Sequence, residues 1–359
     1  MFQNIPSGVG RGRKDLRLSR SELRRVLERG AEWAVRQGFG EMRDLEFLEE
    51  EGRIEGADAA LVSERALERG RGQLGTLGSG NHFAEIQYVA EIYDREAATA
   101  LGLFEDQITV SLHSGSRGLG HQVCSDHLKT MVAAAARYGI ELPDRQLCCA
   151  PIRSKEGGRY LAAMAAAANY AFANRQVMTH SVRESFSQVL GSGPGELGID
   201  VVYDVCHNIA KFETFKVEGR ERTLCVHRKG ATRAYPPGHS KTPQPYRQVG
   251  QPVLIPGDMG RYSYVLVGTD QAFAQTFGST CHGAGRRMSR RQAKKKARGR
   301  DLLAEMEESG VVVMAAGMAT VAEEMPEAYK DVADVVEVVA EAGISRKVAQ
   351  LRPLGVVKG

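Results

Sequence analysis

The chain has 359 residues, 42% hydrophobic and 26% charged, which is ordinary for a globular protein and excludes a disordered tail or a small disulfide-stapled domain. Lys plus Arg (48) nearly balances Asp plus Glu (44) for a net charge of +4, and no run of about 18 apolar residues is present to span a membrane. Glycine is the outlier at 40 residues, about 11% against a usual 7%, which points to many tight turns and close backbone approaches.

The chain opens in Asn4-Ile5-Pro6-Ser7-Gly8-Val9-Gly10, a loop-like stretch, and Met1 to Arg13 hold no apolar leader. Ser19 and Glu22 form a capping box, and Leu23, Val26, Leu27, Ala31 and Ala34 then keep helical spacing up to a stop at Gly38. A second helix is predicted from about Ala59 to Arg69. Gly70, Gly72, Gly75, Gly78 and Gly80 follow as a loop. Strands are predicted at Ile86 to Val89 and Gln107 to Leu112, and an alanine-rich helix over 159–189. Ile199 to Cys206 reads as a strong strand, with shorter ones near Leu224–Val226, Val253–Ile255, Tyr264–Val267 and Val311–Met314. The order lacks a βαβ rhythm. The predicted fold is therefore α+β: one large domain over 1–359, with mixed sheets and helix 159–189 as a peripheral layer.

The bases are concentrated. Nine lie between Arg286 and Arg300 without an intervening acid, which leaves the rest of the chain mildly acidic. Such a run suits polyphosphate or nucleic acid, and equally a solvated helix face. Six cysteines (Cys124, Cys148, Cys149, Cys206, Cys225, Cys281) form no Cys-x-x-Cys pair, so reduced thiols in a cytoplasm are expected.

Four of the nine histidines occupy distinctive places. His82 precedes a predicted strand. His113 and His207 each close one. Neutral imidazole is a common metal ligand, so these three could converge on one ion, although their spacing does not require it. His282 lies in Cys281-His282-Gly283-Ala284-Gly285, directly before the basic run. A small-residue loop lets backbone N–H groups approach a phosphate, a helix N-terminus beyond it favours anions, and an imidazole there could attack phosphorus; a plain helix cap is the alternative. The glycines at 75, 78 and 80 match neither a dinucleotide fingerprint nor a Walker loop.

Seven motifs occur in order: Gly75-Thr76-Leu77-Gly78-Ser79-Gly80-Asn81-His82-Phe83, Leu112-His113-Ser114-Gly115-Ser116-Arg117-Gly118, His207-Asn208, Arg228-Lys229-Gly230-Ala231, Pro256-Gly257-Asp258-Met259-Gly260, His282-Gly283-Ala284-Gly285-Arg286 and Val357-Lys358-Gly359. With them the sequence resembles the RtcB family of GTP-dependent RNA ligases along its whole length. The resemblance implies ligation of RNA 3′-phosphate or 2′,3′-cyclic phosphate ends to 5′-hydroxyl ends, with GTP and Mn²⁺, in tRNA splicing or RNA repair. It makes His282 the guanylylated nucleophile and His82, His113 and His207 metal ligands. Asn81, Phe83, Glu85, Asn208, Ser263, Tyr329 and Lys358 would hold GTP with the Gly283, Ala284 and Gly285 loop, and Arg117 and Arg286 would lie near the phosphates. RNA is the implied partner, together with an archease-type activator; no membrane is involved.

Two departures follow from the same resemblance. The family carries a further N-terminal segment in which an Asp and a bridging Cys bind Mn²⁺, so this chain is expected to be N-terminally truncated and to bind at most one Mn²⁺, weakly. Cys206 is a poor substitute, since neighbours on a strand point to opposite faces. Asp258 stands at a small-polar position of the family and is expected to repel GTP slightly. The alternative functions are a truncated homologue that binds GTP or RNA without ligating, and a metal-dependent phosphodiesterase acting on cyclic ends.

Overall fold

In the computed structural model, which describes residues 1–359, the chain's last 14-residue strand is the centre of the main sheet. In chain order the strands are β1 (Phe83–Ile92), β2 (Ile108–His113), β3 (Asn208–Val217), β4 (Arg220–Lys229), β5 (Ala231–Arg233), β6 (Pro252–Ile255), β7 (Ser263–Gly268), β8 (Ser279–Cys281), β9 (Val312–Ala315) and β10 (Ser345–Lys358). The main sheet runs β2-β1-β10-β7-β6. The first half of β10 pairs antiparallel with β7, and its last residues pair parallel with β9, so the sheet is mixed. Two small sheets, β3-β4 and β5-β8, stand beside it. The fold is thus a single α+β domain, as the irregular element order implies.

The β3–β4 hairpin was not predicted. Its two-residue turn, Glu218-Gly219, has both residues at positive φ, the geometry that matches the twist of antiparallel strands.

Six helices lie toward the N-terminal side: α1 (Arg20–Arg29), α2 (Ala31–Arg36), α3 (Glu64–Gly70), α4 (Arg95–Ala100), α5 (Arg117–Arg137) and α6 (Lys155–Leu190). The predicted capping box is present at Ser19 and Glu22. Leu23, Val26 and Leu27 of α1 are fully buried, each contributing about 1.5–3 kcal/mol of burial. The expected single helix to Gly38 breaks at Gly30, where φ is +57 and a Cβ would stand 2.1 Å from the Gly52 carbonyl oxygen. The expected helix from Ala59 becomes a 3₁₀ turn, Ala59–Leu61, followed by α3.

Helix α6 is longer than the predicted 159–189 and is central to a layer of helices. Ala163, Ala166, Tyr170, Ala173 and Val177 are fully buried against α1, α3 and α5, which makes α6 the spine of the helical layer. Its alanines allow that close packing.

Ile199 to Cys206 is not a strand. Apart from a bridge between Asp204 and Leu48, it is irregular. Its polar groups pair with side chains and loops instead: the Asp204 amide donates to Phe47 O (2.9 Å), and the Tyr246 hydroxyl to Val202 O (2.9 Å). The valines line a cavity rather than a sheet. No helix is long and apolar enough to cross a membrane.

Candidate functional site

Strand register builds the first half of the site. Phe83 of β1 pairs with His113 of β2 on one side and with Lys358 of β10 on the other. Residues directly opposite in a ladder point to the same face, so these three side chains form one row. The Phe83 ring packs edge-on to His113 at 5.4 Å, and the Lys358 ammonium lies 5.4 Å from its centroid. Glu85, two residues along, shares that face and accepts a 2.6 Å bond from Gln87. Both charged groups are buried. Burial pushes Glu85 up to about 8 and Lys358 down, although each opposes the other's shift.

The facing wall comes from Arg286, Glu324 and Tyr329. Arg286 Nη1 donates to Glu324 Oε1 (3.1 Å) and to the Tyr329 hydroxyl (3.2 Å), its guanidinium lies 5.0 Å from the Tyr329 ring, and Tyr329 donates to Glu324. Together with Asn81, Ser263 and Gly283 to Gly285 these residues enclose a polar cavity of about 230 Å³. Glu324 was missed in the sequence; an acid facing a basic run across the fold has no local signature.

Asp258 lines the same cavity, but its carboxylate is engaged. It accepts from Gly260 N and Arg261 N and pairs with Arg261 Nε at 2.5 Å. That cation offsets the repulsion expected toward a phosphate. Burial nevertheless raises the Asp258 pKa.

The loop after His282 is followed by a helix N-terminus. Its next helix, α8 (Arg290–Lys296; α7 is Asp270–Gln275), starts at Ser289, beyond Arg287 and Met288. The Ala284 amide already donates to Pro256 O at 3.1 Å. The helix thus begins a few residues beyond the loop, and the Ala284 amide is already engaged.

The second half of the site is a line of imidazoles. Ring centroids are 5.9 Å apart for His82 and His113, 5.1 Å for His113 and His207, and 4.6 Å for His207 and His282. Burial, with neighbouring cations, lowers His82 and His207 to about 4, holds His113 well below the usual range and lowers His282. All four are neutral at pH 7, the form that ligates a metal or attacks an electrophile.

His113 Nε2 and His207 Nε2 stand 3.0 Å apart. An octahedral ion with ligands about 2.1 Å away spaces adjacent donors by about 3 Å, so this pair fits one edge of such an ion. His82 Nδ1 and His207 Nδ1 are buried without a hydrogen-bond partner. No group of three or more His, Cys, Asp or Glu side chains forms a metal cage. The donors thus fit two neighbouring positions, with His82 one ring further along. Cys206 packs among Leu48, Phe172 and Ala31, and burial pushes its thiol up to about 12, which disfavours the thiolate.

Gly78 sets the approach of His82. Its φ is +104, and a Cβ there would lie 2.2 Å from Arg117 Nη1 and 2.3 Å from His82 Nδ1. Arg117 Nε donates to Thr76 Oγ1 at 3.0 Å. His82, Arg117, His207 and Asn208 line a second cavity of about 2100 Å³, mostly apolar, bounded by β2, α5 and α6. His113 and His282 line both cavities. Every residue singled out from the sequence therefore borders one cavity or the other.

The basic run divides in two. Arg286, Arg290, Lys294 and Arg300 pair with Glu323, Glu324, Glu305 or Glu327. Arg287, Arg291, Lys295, Lys296 and Arg298 are exposed and make no ion pair.

The family model described as "tRNA-splicing ligase RtcB" matches residues 1–359. A tRNA-splicing ligase RtcB of Archaeoglobus fulgidus is 57% identical over 360 residues, which cover 100% of this chain and 74% of that relative. Counterparts of the same description from Pyrococcus furiosus and Pyrococcus horikoshii are 58% and 56% identical across the whole chain, which spans only 37% and 41% of their length.

Proposed function

The chain belongs to the tRNA-splicing ligase RtcB family, and from that premise we propose that it joins RNA 3′-phosphate or 2′,3′-cyclic phosphate ends to 5′-hydroxyl ends in the cytoplasm. The observation that carries this reading is the position of His282, a neutral imidazole where the polar cavity meets the line of histidines.

GTP occupies the polar cavity in this reading. A guanine edge presents two N–H donors beside a carbonyl acceptor, and a Glu85 carboxyl oxygen as acceptor and the Lys358 ammonium as donor, on one face, complement it. Phe83 and Tyr329 supply flat surfaces, Asn81 and Ser263 supply further polar contacts, and Asn208 would reach the nucleotide from the adjoining apolar cavity. A ring nitrogen of His282 attacks the α-phosphorus; the N–P bond forms as the α–β phosphoanhydride breaks and pyrophosphate leaves. GMP then passes to the RNA 3′-phosphate, and the 5′-hydroxyl displaces it. Arg117 and Arg286 lie along the phosphates. His113 and His207, with His82, would hold Mn²⁺, which when bound offsets negative charge developing at the phosphate. The five exposed bases without an ion pair in the run from Arg287 to Arg298 give the RNA backbone a salt-sensitive track.

The test is incubation with α-labelled GTP and Mn²⁺. The expected product is an acid-labile, base-stable phosphoramidate on His282; its absence overturns the reading. The two-donor metal edge favours one second reading, a chain that binds GTP without ligating. Retained nucleotide binding without labelled protein would establish that instead. Archease-type activation is tested by adding such a protein to the labelling reaction.

A further inference from the structure

His113 and His207 come from segments that share no strand ladder. His113 closes β2, an edge strand, whereas His207 follows the irregular stretch from Val201. One side chain bonds to both segments. Arg175 of α6 donates from Nη1 to Ser114 O (3.2 Å), the residue after His113. Its Nε donates to both oxygens of Asp204 (2.9 and 2.7 Å), three residues before His207. The guanidinium lies 4.9 Å from the Phe172 ring, and its side chain is only 12% exposed. Asn174, the preceding residue, binds the other side of the same loop: its amide donates to Gly115 O and Thr76 O, and its oxygen accepts from Gly75 N.

We propose that Arg175 is a positioning residue that bridges the His113 and His207 segments and so sets the spacing of their two Nε2 atoms. A guanidinium suits this task because its donors diverge in a fixed plane, one toward a carbonyl and one toward a carboxylate. Lysine could keep the ion pair with Asp204 but not bridge both partners. The consequence for metal binding rests on the proposed reading of that imidazole pair as a metal edge.

The experiment compares the native chain with Arg175→Lys, which retains the buried charge, and with Arg175→Met/Asp204→Leu, which removes both buried charges if the first variant folds poorly. Two measurements are made on each. Imidazole nitrogen NMR of the metal-free chain reads whether His113 and His207 share a hydrogen bond, and EPR reads Mn²⁺ uptake. The expected result is loss of the shared-bond signature and Mn²⁺ binding weakened about 10–100-fold in folded variants, the range for outer-shell partners. A native chain without the signature, or folded variants that keep it, would overturn the proposal. So would unchanged Mn²⁺ affinity in a variant when the native chain binds. If the native chain takes up no Mn²⁺, the metal reading fails and the NMR arm alone decides on Arg175.

Discussion

The polar cavity draws Phe83, Glu85, His113 and Lys358 from three neighbouring strands, whereas in the imidazole line only His113 stands on a strand, and His82, His207 and His282 lie just outside strand ends on segments that share no ladder. In the first, backbone hydrogen bonds fix which side chains are neighbours. In the second, positions depend on side-chain ties such as Arg175 to Asp204 and Glu49 to the Cys206 amide. A ladder tolerates the loss of one side chain better than a set of individual ties does. The nucleotide side should therefore respond to substitution locally, and the imidazole side more broadly.

The sharpest way to separate the two is His282→Ala. Labelled phosphoramidate should fall on the order of a thousandfold or more. GTP affinity, read by calorimetry, should stay within about threefold, since His282 is one side chain among many lining the polar cavity and Glu85, Lys358 and Tyr329 remain in place. Comparable loss of both would show that the cavities are not separable.

Gly78→Ala attacks the imidazole side through the backbone. A Cβ at φ +104 and within 2.3 Å of both Arg117 and His82 should destabilise the fold by about 3 kcal/mol in a denaturant titration. An unchanged midpoint would mean that the loop moves freely.

Lys358→Met tests the nucleotide side. Removing the ammonium should weaken GTP binding by about 2 kcal/mol, the loss for one hydrogen bond to a charged group, with little effect on Mn²⁺ uptake. Equal affinity would place the base elsewhere.

The smallest effect is a pH dependence. Glu85 has its pKa raised by burial from 4.5 to about 8, so the folded chain keeps a proton that the unfolded chain has released. Its stabilising contribution is fully present below about pH 4.5 and is lost as pH rises through about 8. Relative to Glu85→Gln, the native chain should lose about 1 kcal/mol between pH 7 and 8 in thermal melts. Parallel curves would show that Glu85 is ionised throughout.

Legibility followed the range of the interactions. The cap at Ser19, strands β1 and β2 and the glycine turns were readable because each depends on a few consecutive residues. The segment from Ile199 to Cys206 misled for the converse reason: its valines are strand-like, but the Asp204 backbone pairs with Phe47 and Glu49, far away in the chain. The central strand β10 was overlooked, although Lys358 was singled out by motif. Pro353 interrupts its pattern, and a register shift on the β1 side accommodates it. Helix α6 was recognised, yet the partners it packs against were not, since an alanine-rich face does not say what it buries against.

By itself the sequence determined the local pieces: caps, turns, the ordered motifs and the chemical types of His82, His113, His207 and His282. Only the tertiary structure decided that Lys358 stands beside Phe83, that Glu324 holds Arg286, and that two imidazole nitrogens come within 3.0 Å. Those outcomes depend on register and on buried charge pairing between residues far apart in the chain, and neither leaves a mark in any short window of sequence.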